Sequence, residues 1–420
     1  MAAREIASRP AAAAGSAGPP ETGTVQDGGV PGTLREVIDT TTVATLRARG
    51  SVKWAAPGPA GFGAAVAEMD FGAAPPILDA LAGLSADANF GYLPPFLADE
   101  LAAACAEFQQ RRYGWEIDPA LIHPVPDVIK ALELAIAAYS RPGSPVILPT
   151  PAYMPFLAVP EYLGREIIQV PMRGEAGFFT LDFEAIEDAY RAGGHLLILC
   201  NPYNPLGRVF TAAELAQLTE VVERHRGRVF ADEIHAPLVY PGLRHLPYAD
   251  TSGAAASHTL TATSASKAWN LPGLKCAQVI LSNEPDQRHW EELGFFAPRG
   301  ASNPGVVANI AAYRHGEAWL EEVLGYLDDS RHLLAGLLSR HLPQVRYRPP
   351  DGTYLAWLDC TGLDLPDSPG ALVTDRAHIT VVDGPAFGTG GAGAFRFNFA
   401  TPQPILTEMV EHIAAILNPR

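Results

Sequence analysis

Long apolar runs are missing from this chain. No stretch approaches the ~18 to 20 consecutive apolar residues that a membrane-spanning helix needs, so a membrane-embedded reading is set aside. Cysteine is scarce as well. The four cysteines, Cys105, Cys200, Cys276 and Cys360, are widely scattered and form no C-x-x-C pair. Neither a zinc knuckle nor a disulfide framework is suggested, and a reducing, cytoplasmic setting is expected. Positive charge is also short: 30 Lys and Arg stand against 46 Asp and Glu, a formal net charge of −16. That balance argues against a sequence-independent grip on nucleic acid phosphates. What the chain does have is 48% hydrophobic and 18% charged residues over 420 positions, a composition of soluble globular proteins and not of disordered ones. The length allows two or three domains and a sizeable core.

Residues Pro10 to Pro31 are mostly Ala, Gly, Pro and small polar residues in no periodic order, with no Leu, Ile or Phe. They cannot supply the apolar centre of a signal peptide and read as a disordered tail over residues 1–33. A mixed segment from Leu34 to Phe71 begins a small domain, expected over 34–80. From Pro76 helices and strands alternate. Phe96, Leu97, Leu101, Cys105 and Phe108 follow helical spacing, as do Val128, Ile129, Leu132, Ile136 and Tyr139. Short apolar runs bounded by turn residues stand at Val146–Leu148, Leu196–Cys200, Val229–Ala231 and Val279–Leu281. Runs without polar alternation suit strands covered on both faces, as in a mainly parallel sheet. Thr211 with Glu214 forms a capping box, predicting a helix that buries Leu215, Leu218 and Val222 and links two strands in a β-α-β unit. These elements make up a large domain over 81–302. From about Asn303 the pattern is helix, helix, a short sheet around Tyr354–Leu358 and Phe395–Phe399, then a helix over Ile405–Leu417. That part is expected to form a C-terminal small domain, 303–420.

Four separated segments concentrate chemistry: Asn201-Pro-Tyr-Asn-Pro-Leu-Gly207, Ala231-Asp-Glu-Ile-His235, Ser264-Ala-Ser-Lys267 and Phe395-Arg-Phe-Asn-Phe399. The first three follow predicted strands, and the carboxyl ends of strands are where ligands sit in open α/β sheets. An amide, a carboxylate and an amine are thereby placed at such ends.

The order and spacing of these segments resemble the fold-type I pyridoxal-phosphate (PLP) enzymes of the class I/II aminotransferase superfamily. In particular they are similar to the MalY/PatB-type cystathionine β-lyases, also called cysteine-S-conjugate β-lyases. Glu68-Met-Asp-Phe71, Phe90-Gly-Tyr-Leu93 and Thr150-Pro-Ala-Tyr-Met-Pro-Phe156 extend the resemblance over nearly everything after the tail. It implies an α/β fold, with a large domain built on a mainly parallel seven-stranded sheet between helices and a smaller α+β domain. The implied cofactor is pyridoxal 5'-phosphate.

The resemblance also implies roles, each with a physical need behind it. Lys267 matches the Schiff-base lysine, whose ammonium pKa must be lowered so that it can attack an aldehyde and later move a proton. Asp232 matches the acid that pairs with the pyridine nitrogen, keeping the ring an electron sink. Asn204 and His235 match groups facing the cofactor's phenolic oxygen, Asn204 also reaching the substrate. Tyr153 matches the aromatic stacked on the ring, counted with Lys267 and Asp232 as catalytic. Ser264, Ser266 and Lys275 sit where the superfamily clamps the phosphate. The backbone amides of Val128 and Ile129 would join them at a helix start, with the Asp127 side chain as its N-cap. Arg396 matches the arginine that holds the substrate α-carboxylate, on one side of its strand with Phe395, Phe397 and Phe399 on the other. Tyr92 matches a tyrosine that crosses a dimer interface to the other subunit's phosphate, which makes a homodimer with a composite active site. No metal, nucleic acid or membrane partner is expected.

Three activities are compatible with these residues. A carbon–sulfur β-lyase would expel a thiolate from the substrate Cβ and leave pyruvate and ammonia. An aminotransferase, or a decarboxylating or deaminating variant, would use the same groups with a different proton delivery. A PLP-binding regulatory protein would use them for sensing, although the tail is too short and too poor in apolar residues for a fused DNA-binding domain. The lyase is the expected activity, with the thiol half of the substrate left open.

Overall fold

The computed structural model describes residues 33–175, 178–294 and 299–418. The tail expected over 1–33 lies, apart from Thr33, outside the described residues. Seven strands form the central sheet: β1 (Ile122–Val125), β2 (Val146–Thr150), β3 (Ile167–Pro171), β4 (Leu196–Cys200), β5 (Arg228–Asp232), β6 (Thr259–Thr263) and β7 (Ala277–Leu281). Their spatial order is β1-β7-β6-β5-β4-β2-β3. The run from β6 to β3 is parallel throughout, whereas β7 pairs antiparallel with both β1 and β6. Every residue of β2, β4, β6 and β7 is buried. Cover on both faces is the reason β2 and β4 show no polar alternation.

The connections follow their local signals. The helix Ala212–Arg224 between β4 and β5 opens with the reciprocal Thr211–Glu214 capping box and buries Leu215, Leu218 and Val222. The helix Val128–Ala138 starts at Asp127, whose Oδ1 accepts the Lys130 N–H at 2.9 Å. The helix Pro95–Tyr113 buries Leu97, Leu101, Cys105 and Phe108 and ends at Gly114 with φ +81°. Phe96, expected on its buried face, is instead exposed in the first turn.

A second, antiparallel sheet has the order β8 (Leu355–Asp359), β10 (Ala394–Asn398), β9 (Val382–Asp383). The helix Gln403–Leu417 buries Leu406, Met409, Val410, Ile413 and Leu417 against the core beside it. Phe395, Phe397 and Phe399 are fully buried in that core. Arg396, one position out of phase, points from the other face of β10. Buried apolar residues group into two clusters, one around the seven-stranded sheet and one joining residues 38–115 to 236–280 and 306–417. The irregular segment between residues 63 and 71 meets the end of β10 through Asn398 and the turn after β6 through Asn270. No helix among the described residues is long and apolar enough to cross a membrane.

Candidate active site

Strands β4, β5 and β6 end at the same level because Cys200 is opposite Asp232, and Asp232 opposite Ala262. The chain leaves each end through one of the chemistry-bearing segments. A cavity of about 190 Å³ opens there, lined by Val128, Ile129, Tyr153, Asn204, Asp232, His235, Ser266, Lys267 and Lys275, among others. Five segments distant in sequence are thus gathered at one sheet edge.

Lys267 Nζ donates to the Ala67 carbonyl at 3.0 Å. Burial, reinforced by the Arg396 charge, lowers its pKa to about 8, while Glu68 and Asp232 act in the opposite direction. Asp232 is 4% exposed and accepts the Ile234 N–H at 3.1 Å. Burial raises its carboxyl pKa to about 7 although that N–H and Lys267 favour the charged form. His235 is buried, and burial with the Lys267 and Arg396 charges lowers its pKa to about 3, so its ring is neutral at pH 7. Its Nδ1 has no hydrogen-bond partner. Tyr153 packs edge-on against Phe156, and burial raises its phenol pKa.

Arg396 stands behind the cavity wall. Its Nη1 donates to Asn204 Oδ1 at 3.0 Å and its Nη2 to the Ala65 carbonyl at 2.7 Å, while Nε has no partner. Occupying the amide oxygen orients Asn204 so that its NH2 is the end left for the cavity. Burial lowers the Arg396 pKa to about 10, which leaves the guanidinium charged at neutral pH.

One expected phosphate ligand is placed differently. Ser264 does not line the cavity: its hydroxyl donates to the Cys276 carbonyl at 2.7 Å and accepts the Ser266 N–H at 3.0 Å. It shapes the turn that presents Ser266 and Lys267, because a buried hydroxyl directly after the strand is satisfied by the backbone of neighbouring β7. Tyr92, expected to serve a second subunit, is 98% exposed beside exposed Phe90 and does not line this chain's own cavity. Lys275 lines the cavity, and its Nζ pairs with Asp127 Oδ2 at 2.9 Å. Sequence reasoning did not single out Ala67, Cys200, Ile234 or Cys276, which also line the wall. Ala67 contributes a backbone carbonyl, for which side-chain patterns carry no signal. Glu233, inside the Asp232–His235 motif, turns away: Oε1 accepts the Tyr248 N–H at 2.7 Å and Oε2 meets His245 Nε2 at 3.1 Å.

The family model for aminotransferase class I and II matches residues 65–413. The chain belongs to that family. Within it, a relative from Corynebacterium glutamicum named cystathionine beta-lyase is 38% identical over 352 residues, 84% of this chain and 92% of the relative. A crystal structure from Corynebacterium diphtheriae superposes with a TM-score of 0.86 at 37% identity, covering 90% of this chain and 99% of that one. The PLP-bound C-S lyase from Staphylococcus hominis superposes with a TM-score of 0.80 at 27% identity, covering 85% and 91%.

The residues present fit the cofactor that the family resemblance implies. Asp232 is a buried carboxylate with a raised pKa, and a protonated ring nitrogen is the kind of partner that would hold it ionised. His235 Nδ1 lacks a hydrogen-bond partner, which suits a neighbouring oxygen. Ser266, Lys275 and the helix start at Val128 and Ile129 offer donors and positive charge for a phosphate. The Asp127 carboxylate at that end pairs with Lys275 and accepts the Lys130 N–H.

Proposed function

We propose that this protein is a PLP-dependent carbon–sulfur β-lyase that cleaves cystathionine or another cysteine S-conjugate to a thiol, pyruvate and ammonia. The observation that carries this reading is the gathering of Lys267, Asp232, Asn204 and His235 around one cavity, with Arg396 bonded to Asn204 behind it. The lyase names of the C. glutamicum and S. hominis relatives support the choice of reaction.

Bound in the cavity, PLP supplies an electron sink for the pair left on the substrate Cα when its proton departs. Lys267, with a pKa of about 8, is near the working pH of a group that must take that proton and release it again. The Cα–H and Cβ–S bonds break, a carbon–carbon double bond forms, and the sulfur leaves as a thiolate that Lys267 can reprotonate. Water then converts the unsaturated amine to pyruvate and ammonia. Asp232 would hold charge at the ring nitrogen, and Asn204 with neutral His235 would face the phenolic oxygen. Tyr153 would pack on the ring, Ser266, Lys275 and the Val128 and Ile129 amides would hold the phosphate, and Arg396 would orient the α-carboxylate.

The same reading includes a homodimer in which Tyr92 of one chain completes the site of the other. Its support is the exposure of Tyr92 and Phe90 along an apolar groove of about 1110 Å³ that also takes in Leu93 and Pro124. Large exposed apolar surfaces of this kind mark association sites. Four free, buried thiols among the described residues support a reducing, cytoplasmic setting.

The test is a panel of cysteine S-conjugates, L-cystathionine included, with thiol, pyruvate and ammonia measured together. Equal amounts without an added oxo acid are expected. An oxo-acid requirement, with the amino group recovered on the acceptor and no thiol released, would overturn the lyase in favour of transamination.

A further inference from the structure

Residues Ala65 to Asp70 form a strap outside any strand that reaches the cavity at Ala67, and its carbonyls are met by side chains in unbroken succession. Ala65 O accepts from Arg396 Nη2 at 2.7 Å and Val66 O from Asn398 Nδ2 at 2.6 Å. Ala67 O accepts from both Lys267 Nζ at 3.0 Å and Tyr354 Oη at 2.9 Å. Glu68 O takes Asn398 Nδ2 at 2.8 Å and Lys53 Nζ at 3.3 Å, and Met69 O takes Asn270 Nδ2 at 2.8 Å. Backbone that forms no ladder must satisfy its carbonyls with side chains or water. Here the donors come from three separate parts of the fold.

Two of these donors stand in a telling relation to the site. Asn270 lies three residues after Lys267, and Asn398 two residues after Arg396 on the same face of β10. Asn270 grips Met69 from both sides, accepting its N–H at 2.9 Å while donating to its carbonyl, and reaches Gly72 O at 3.2 Å. It does so from φ +61°, a conformation that asparagine tolerates better than most residues. Asn398 is fully buried. Its amide NH2 bridges two strap carbonyls, and its Oδ1 accepts the Ala400 N–H at 2.8 Å.

We infer that Asn270 and Asn398 are positioning residues for the reaction, clamping the strap so that its Ala67 and Ala65 carbonyls hold Lys267 and Arg396 in place. The inference takes from the proposed lyase reading only the tasks of those two cations. Asn398 acts on the carboxylate end and Asn270 on the amine end. A loosened strap admits water to Lys267 and lets Arg396 swing off its register beside Asn204.

Two full-length variants test this. Asn270→Gly keeps the positive-φ backbone without strain, and Asn398→Ser retains one donor where asparagine has two. In chain stripped of cofactor, acylation of Lys267 by acetic anhydride is followed against pH and quantified by peptide mass. The midpoint should rise by about half a unit or more in both variants, because burial is what depresses it and water relieves burial. In cofactor-loaded Asn398→Ser, KM for a cysteine S-conjugate should rise about tenfold with a smaller change in kcat, as expected for lost carboxylate orientation. Variants with parental far-UV circular dichroism, an unmoved Lys267 midpoint and an unmoved KM would overturn the inference. If Asn398→Ser does not fold, the Asn270→Gly midpoint decides alone. The acylation needs no turnover, so a protein without lyase activity would sink the proposed function and still give a readable result here.

Discussion

Asp232→Asn separates the electrostatics of the site from its shape. In the cofactor-free chain the Asp232 carboxylate is buried, and burial moves its pKa from 3.8 to about 7. At ~1.4 kcal/mol per tenfold change, ionising it in place costs about 4 kcal/mol more than in the unfolded chain. The folded pKa lies above the unfolded one. The favourable contribution of this group is therefore complete below pH ~4 and is lost as pH rises toward about 7. Asparagine fills the same space and does not titrate. Cofactor-free Asp232→Asn should consequently gain stability over the parent as pH rises from about 5 to 8, by up to about 3 kcal/mol. PLP should reverse the sign, because the parental carboxylate then has a cationic partner and asparagine does not. Urea unfolding of both proteins, with and without cofactor, at the two pH values reads the effect. Parallel pH dependence of the cofactor-free parent and variant, or undiminished cofactor affinity in the variant, would refute the reasoning.

Lys53 and Asp70 form an ion pair at 2.8 Å with side chains 0% and 4% exposed, and Trp54 Nε1 donates to the same carboxylate. Lys53→Met should therefore cost about 3–5 kcal/mol in urea unfolding, since it strands a buried charge; a loss under ~1 kcal/mol would show that water already reaches Asp70. Mixing the inactive variants Tyr92→Ala and Lys267→Ala should restore part of the activity, because one composite site per heterodimer is intact. No recovery after demonstrated subunit exchange, with Tyr92→Ala alone inactive, would remove the shared site.

Much of the sheet is legible in short apolar runs: Leu196–Cys200 is β4 as written, and Val146, Val229 and Val279 each open or sit within a strand. The reversed direction of β7 is not, because a run buried on both faces has the same composition whichever way it points. Helix starts at Thr211 and Asp127 are legible since capping is local chemistry. The pairing of Asp127 with Lys275 depends on bringing together positions 148 apart, and no local pattern encodes it. Ser264 and Ser266 look equivalent in sequence, yet a turn of the chain sends one hydroxyl inward to Cys276 and leaves the other residue at the cavity. Glu68-Met-Asp-Phe71 is conspicuous as a motif, but its contribution rests on the Glu68 and Met69 carbonyls and on the buried Asp70. Those partners become visible only in three dimensions.

The central claim is that one lysine, Lys267, carries the cofactor at the edge of the sheet. Borohydride reduction of the yellow, cofactor-loaded protein, followed by peptide mapping, tests it most directly. A cofactor label is expected on the peptide containing Lys267, as is its loss in a folded, inactive Lys267→Ala variant. A label recovered on Lys275 or any other lysine, or a Lys267→Ala protein that still turns over, would contradict it.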